Sequence, residues 1–135
     1  MAYQFSTSAR NASLDAIETA IGVSAVLRLR SGAAPANCGA ADSGTVLATM
    51  NLPSDWLAAA SGGAKAMSGT WQDLAADAAG TVGHFRIYDS AGTTCHIQGT
   101  VTITGSGGDM TIDNPALTTG QQVNVTAFSI TAGGA

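Results

Sequence analysis

Residues 82–98 constrain the fold of this chain more than any other stretch. Val82-Gly83-His84-Phe85-Arg86-Ile87-Tyr88 and Thr93-Thr94-Cys95-His96-Ile97-Gln98 flank the tetrapeptide Asp89-Ser90-Ala91-Gly92. Phe85, Ile87, Cys95 and Ile97 alternate with polar partners at period two, and the segment between them is built from turn residues. The stretch therefore predicts a β-hairpin with one core-facing side. Asp89 and Ser90 can bond neighbouring backbone groups, and Gly92 can take the positive φ that closes the bend. A hairpin alone is marginal in water, so the remaining sequence must supply further strands.

It supplies them on both sides. After Tyr3 and Phe5, Ser6-Thr7-Ser8 offers N-cap oxygens. Ala9, Ala12, Ser13, Ala16, Ile17, Ala20 and Ile21 then recur at helical spacing, with Leu14 widening the stripe, and Gly22 provides a stop. Small residues on that stripe would let the helix lie close against a sheet or a neighbouring subunit. In Ala25-Val26-Leu27-Arg28-Leu29-Arg30, Ala25, Leu27 and Leu29 face one way and Val26, Arg28 and Arg30 the other, as in a half-buried strand. Residues 31–44 predict a surface loop.

Val46, Ala48, Met50 and Leu52 make a second core strand that Pro53 ends. Residues 64–71 extend back and place Ala64 and Ala66, with Met67 as a further candidate, beside the core, and residues 73–80 predict a loop. Gly99 suggests a bulge or bend before Thr100–Thr104. Residues 109–114 form a short strand closed by Pro115. The last strand switches parity from Val123 and Val125 to Phe128 and Ile130, which predicts a bulge near Thr126 or Ala127.

The pattern predicts a mainly β, jelly-roll-like sandwich of about seven or eight strands with one N-terminal α-helix, forming a single domain over residues 1–135. The arm and helix take about residues 1–22, the β-rich core about 23–131, and a flexible tail 132–135.

Only 10% of the 135 residues are charged and 5% aromatic, and 17 are glycine. Such a surface of Ala, Thr, Ser and Gly repels neighbouring chains weakly and suits permanent assembly. With net charge −4 and five basic residues, Arg28 and Arg30 form a small patch but no stripe that could track phosphates, so nucleic acid is not an expected partner. No apolar run approaches membrane-spanning length and no secretory pattern opens the chain, so synthesis and folding in a cytoplasm are expected, with Cys38 and Cys95 as free thiols.

Tests for chemistry find little. Cys95 and His96 are adjacent in a strand and point to opposite faces, so with His84 and Cys38 they make no metal-ligating spacing. Asp73 with Asp77, and Asp109 with Asp113, lack an environment that would separate two carboxyl pKa values. Gly105–Gly108 opens a strand and lacks the lysine of a phosphate loop. No nucleophile has an identifiable base. Neither a catalytic site, a metal nor a cofactor is expected. Trp56, Trp71 and Tyr88 are open to two readings, as a sugar-binding face or as core or interface anchors.

Thr45–Leu52, His84–Gly92, Gly107–Thr111 and the closing Phe128-Ser129-Ile130-Thr131-Ala132-Gly133, following a short helix, resemble in pattern the small virion structural proteins of tailed bacteriophages. The size and β-rich pattern are similar to capsid decoration or cement proteins among them. That resemblance implies a non-enzymatic protein on the capsid exterior that bridges capsomers, its partners being the major capsid protein, copies of itself, or both. Arg28, Arg30, Trp56 and Trp71 are the candidate interface residues, and the arm Met1–Thr7 or the Gly-rich tail would extend the contact. The alternatives are a tail, collar or fibre component, or a glycan-binding adhesin module.

Overall fold

The computed structural model describes residues 3–135. One helix, α1 (Thr7–Ile21), precedes β1 (Val26–Ser31), β2 (Val46–Asn51), β3 (Ala64–Ala66), β4 (Gln72–Asp73), β5 (Gly80–Tyr88), β6 (Cys95–Ile103), β7 (Met110–Ile112), β8 (Ala116–Leu117) and β9 (Val123–Thr131). The sheet runs β2-β1-β5-β6-β7-β9-β3, with β4 added to β9 and β8 to β5. All pairings are antiparallel except β6 with β7. The sheet curls so that both halves share one core. The chain is thus mainly β with one N-terminal helix, as its periodicities predict, and the two-residue strands β4 and β8 account for the extra elements.

The central hairpin is β5–β6. Asp89 N–H donates to the Thr94 carbonyl at 3.1 Å, the Asp89 carboxylate accepts from Thr93 N–H at 3.0 Å, and Gly92 takes φ +71°. Phe85 and Ile87 face the core as expected. Cys95 does not. The register passes from Ile87 opposite Ile97 to Tyr88 opposite Cys95. His96 is therefore the extra residue of a bulge, which rotates Cys95 onto the outer face beside Tyr88.

The expected bulge at Gly99 is absent, since Phe85 pairs with Gly99 and His84 with Thr100 in unbroken register. Glycine is there for room. A Cβ on Gly99 would stand 2.8 Å from Asp109 Oδ2 and 2.9 Å from the Phe85 ring. In β9 the predicted bulge is present: Ile112 pairs with Val125 and Thr111 with Ala127, leaving Thr126 unpaired.

Aromatic rings form a row through the core. Trp56 lies 5.9 Å from Trp71, Trp71 5.6 Å from Phe128, and Phe128 5.4 Å from Phe85, the last pair edge to face. Leu27, Leu29, Leu47, Met50, Ile87, Met110 and Val123 fill the space around it.

Helix α1 starts where predicted, with the Ser6 side chain accepting from Ala9 N–H at 3.1 Å, and ends with Gly22 N–H donating to the Glu18 carbonyl. Its docking face keeps only Leu14 and Ile21 of the predicted stripe. Only Leu14 and Ile21 are buried, and the helix meets the body through Asn11, Asp15 and Glu18. Those side chains accept from the backbone N–H groups of Gly63, Ala60 and Leu57 in the segment that leads into β3. Asp15 and Glu18 also hold Lys65 Nζ at 2.7 and 2.9 Å. Lys65 is buried while Ala66 is exposed, so β3 turns the opposite face inward from the expected Ala64 and Ala66. A paired lysine meets α1 there. Burial opposes the charge on Lys65, but the two carboxylates outweigh it and raise its pKa. Ala9, Ala12, Ser13, Ala16, Ile17 and Ala20, the rest of the expected packing stripe, face solvent.

Candidate functional site

The outer face of β1, β5 and β6 carries Arg30, His84, Arg86, Tyr88 and Gln98, and residues 32–44 lie across it as a strap. A chain segment laid on a sheet without joining its ladder must place its backbone carbonyls on side-chain donors. His84 Nδ1 donates to the Gly32 carbonyl at 2.9 Å and Gln98 Nε2 to that of Pro35 at 2.7 Å. Arg86 Nη2 reaches the carbonyls of Asn37, Cys38 and Ala40 at 3.2, 2.9 and 3.2 Å. The segment is a surface loop in its own exposure, yet it is the lid that buries Arg86 and His84.

Asp42 is the charge at the far end of the strap. Its Oδ1 accepts from Arg86 Nη1 and from the Tyr88 hydroxyl, the latter at 2.7 Å, and its Oδ2 pairs with Arg30 at 3.1 Å. Burial pushes the Asp42 carboxyl up, but Tyr88, Arg86 and Arg30 together outweigh it and hold its pKa below the ordinary carboxylate value. Burial, reinforced by the Asp42 hydrogen bond, pushes the Tyr88 phenol up. Among the described residues, Nε of Arg30 and of Arg86, His84 Nε2 and Gln98 Oε1 are buried without a protein partner.

A carboxyl with a depressed folded pKa contributes stability that is fully present above its unfolded value, about 4, and lost as pH falls through the folded one. Asp15, lowered chiefly by its hydrogen bond from Lys65, adds to the same acid limb. The melting temperature should therefore be flat near neutrality and fall on acidification below about pH 4. In Asp42→Asn, melting curves recorded across that range should start lower and show a shallower acid limb. An unchanged limb would mean that Asp42 titrates as it does in the unfolded chain.

Of the four candidate interface residues, Arg28 alone keeps surface. Its Nη1 donates to the Gly92 carbonyl at 2.9 Å, and its guanidinium lies 4.7 Å from the centre of the Tyr88 ring. Arg30 is committed to Asp42. Trp56 and Trp71 are core residues, with indole N–H groups donating to the Gly22 and Ser68 carbonyls. With Tyr88 also buried, Trp56, Trp71 and Tyr88 form no exposed sugar platform.

Cys38 on the strap and Cys95 on β6 line one cleft of about 320 Å³ with Asp42, Arg86, Tyr88 and Thr94. Both are free thiols in this structure. Burial, then contact with the Cys38 thiol, pushes the Cys95 thiol up to about 12. Sequence reasoning missed the cleft because the His96 bulge moves Cys95 to the face opposite the one that its parity assigns. The available signal was Asp42, a lone acid in an uncharged loop opposite a strand face bearing two arginines. Among the described residues no group of three or more His, Cys, Asp or Glu side chains is arranged to hold a metal ion, and no helix is long and apolar enough to cross a membrane. No protein family, curated protein or solved structure matches the chain.

Proposed function

We propose that this chain is a non-enzymatic structural protein of a tailed-bacteriophage particle, a decoration or cement subunit that stabilises the shell by bridging neighbouring capsomers. One observation carries the reading: α1 docks through Leu14, Ile21 and three polar side chains and turns its small apolar residues outward. Ala9, Ala12, Ala16, Ile17 and Ala20 are exposed along the helix. Next to them stand Tyr3 and Phe5, 76% and 50% exposed and edge to face with one another. A cleft of about 370 Å³ between Phe5, Leu14, Ile17 and residues 131–133 continues that surface. A continuous apolar face of this kind is a place where another chain buries area.

The arm and the tail support the same contact. Phe5 N–H donates to the Gly134 carbonyl and Gln4 Nε2 to that of Ala135, so the tail extends the apolar face instead of hanging free. Met1 and Ala2 of the expected arm lie outside the described residues. A jelly-roll-like sandwich belongs to this proposal also. It is supported by the single core between the halves of the curled sheet, and it must accommodate the parallel pairing of β6 with β7.

Quantitative mass spectrometry of purified particles tests the reading. Copies of the same order as the major shell protein are the expected result. A few copies per particle would overturn shell bridging in favour of a tail, collar or fibre position, and absence from particles would overturn the structural role altogether.

A further inference from the structure

We infer that Cys38 and Cys95 are a disulfide-forming pair, which a low-molecular-weight disulfide oxidises to lock the 32–44 strap onto β6. The geometry comes from the hairpin and the strap together. The His96 bulge puts Cys95 on the outer face opposite Tyr88, and Arg86 fixes the Cys38 backbone above that face through its 2.9 Å bond to the Cys38 carbonyl. The Cys95 sulfur donates to the Ile97 carbonyl at 3.5 Å, and Cys38 shares its cleft. Both residues are partly exposed, and both line the same cleft, which gives a small disulfide access.

The reaction is two thiol–disulfide exchanges. Burial keeps the Cys95 thiol protonated, so Cys38 is the sulfur that starts. Its thiolate attacks the reagent, one reagent S–S bond breaks as the Cys38–reagent bond forms, and the departing thiolate is protonated by the proton that Cys38 gave up. Cys95 then attacks the Cys38 sulfur of this mixed disulfide, its proton leaving with the second reagent thiolate. The Arg86 guanidinium favours the transient Cys95 anion. Two protein thiols are oxidised and one reagent disulfide is reduced to two thiols. The link closes a long loop between strap and hairpin, a constraint that falls mainly on the unfolded chain.

Neither the chemistry nor its failure bears on where the protein works: the particle copy number and the thiol reaction are independent measurements. The reduced full-length chain is incubated with oxidised glutathione and examined by intact-mass and peptide mass spectrometry. The expected product has lost two hydrogens, carries a peptide cross-link between Cys38 and Cys95, and melts about 10 °C higher, with reversal by dithiothreitol. Cys95→Ser should stop at a glutathione adduct on Cys38, whereas Cys38→Ser should leave Cys95 unmodified. Unreacted thiols, a stable adduct on the unsubstituted chain, a link between two chains as the main product, or an intramolecular link without a rise in melting temperature would each overturn the inference.

Discussion

Arg86→Met should destabilise the fold by about 3 kcal/mol in urea unfolding, although methionine fills much the same volume. Arg86 is 1% exposed and its guanidinium is the donor for three strap carbonyls and for Asp42. Removing it leaves those acceptors facing an apolar side chain. Breaking one side of a fully buried pair typically costs about 3–5 kcal/mol. The lower end applies here because the Asp42 side chain is 42% exposed and keeps Arg30 and Tyr88 as partners. The loss should be local before it is global. Amide hydrogen exchange within residues 33–44 should accelerate under conditions where β5 and β9 remain protected. Equal acceleration everywhere, or unchanged stability, would show that the strap is held by something other than this guanidinium.

Phe85→Ala should cost about 3–5 kcal/mol. Phe85 is 1% exposed, packs edge to face on Phe128 and lies over Gly99, where no side chain can move in to refill the space. Loss of the ring also ends the aromatic row that joins β5 to β9. Phe85→Leu should recover much of the loss, since it restores most of the buried volume. Chemical denaturation of the two variants side by side checks both statements, and an alanine variant as stable as the parent chain would place the core on the other side of the hairpin.

What was legible in the sequence was whatever depends on local periodicity and turn chemistry. Phe85 and Ile87, the Asp89–Gly92 turn, the Ser6 cap and the parity switch at Thr126 each carry their signal within a few residues. The strap carries no periodic signal, only the lone acid Asp42. Its Ala, Gly, Pro and Asn residues have no period, and its ties are backbone carbonyls whose donors, His84, Arg86 and Gln98, occupy positions that alternation assigns to solvent. The shifted docking face of α1 has the same cause. Asn11, Asp15 and Glu18 look like a wetted face until Lys65 and the backbone N–H groups of Leu57, Ala60 and Gly63 are brought against them. A bulge such as that at His96 has no residue signature at all, and it decided which side of the sheet received Cys95.

The pairing of β9 also sets a schedule for folding. β9 joins β7, β3 and β4, and all three precede it in the chain, two of them by roughly half its length. Closing such distant contacts spends chain entropy before any contact rewards it, so their formation is slow, in the millisecond-to-second range of sheet proteins rich in non-local pairs. The β1–β2 and β5–β6 ladders can assemble before β9 is placed. β3, β4 and β7 each wait for this partner until β9 arrives. Until β9 is placed, three strands lack that partner and the core lacks Val123, Val125 and Phe128, and such bare edges are exposed to aggregation.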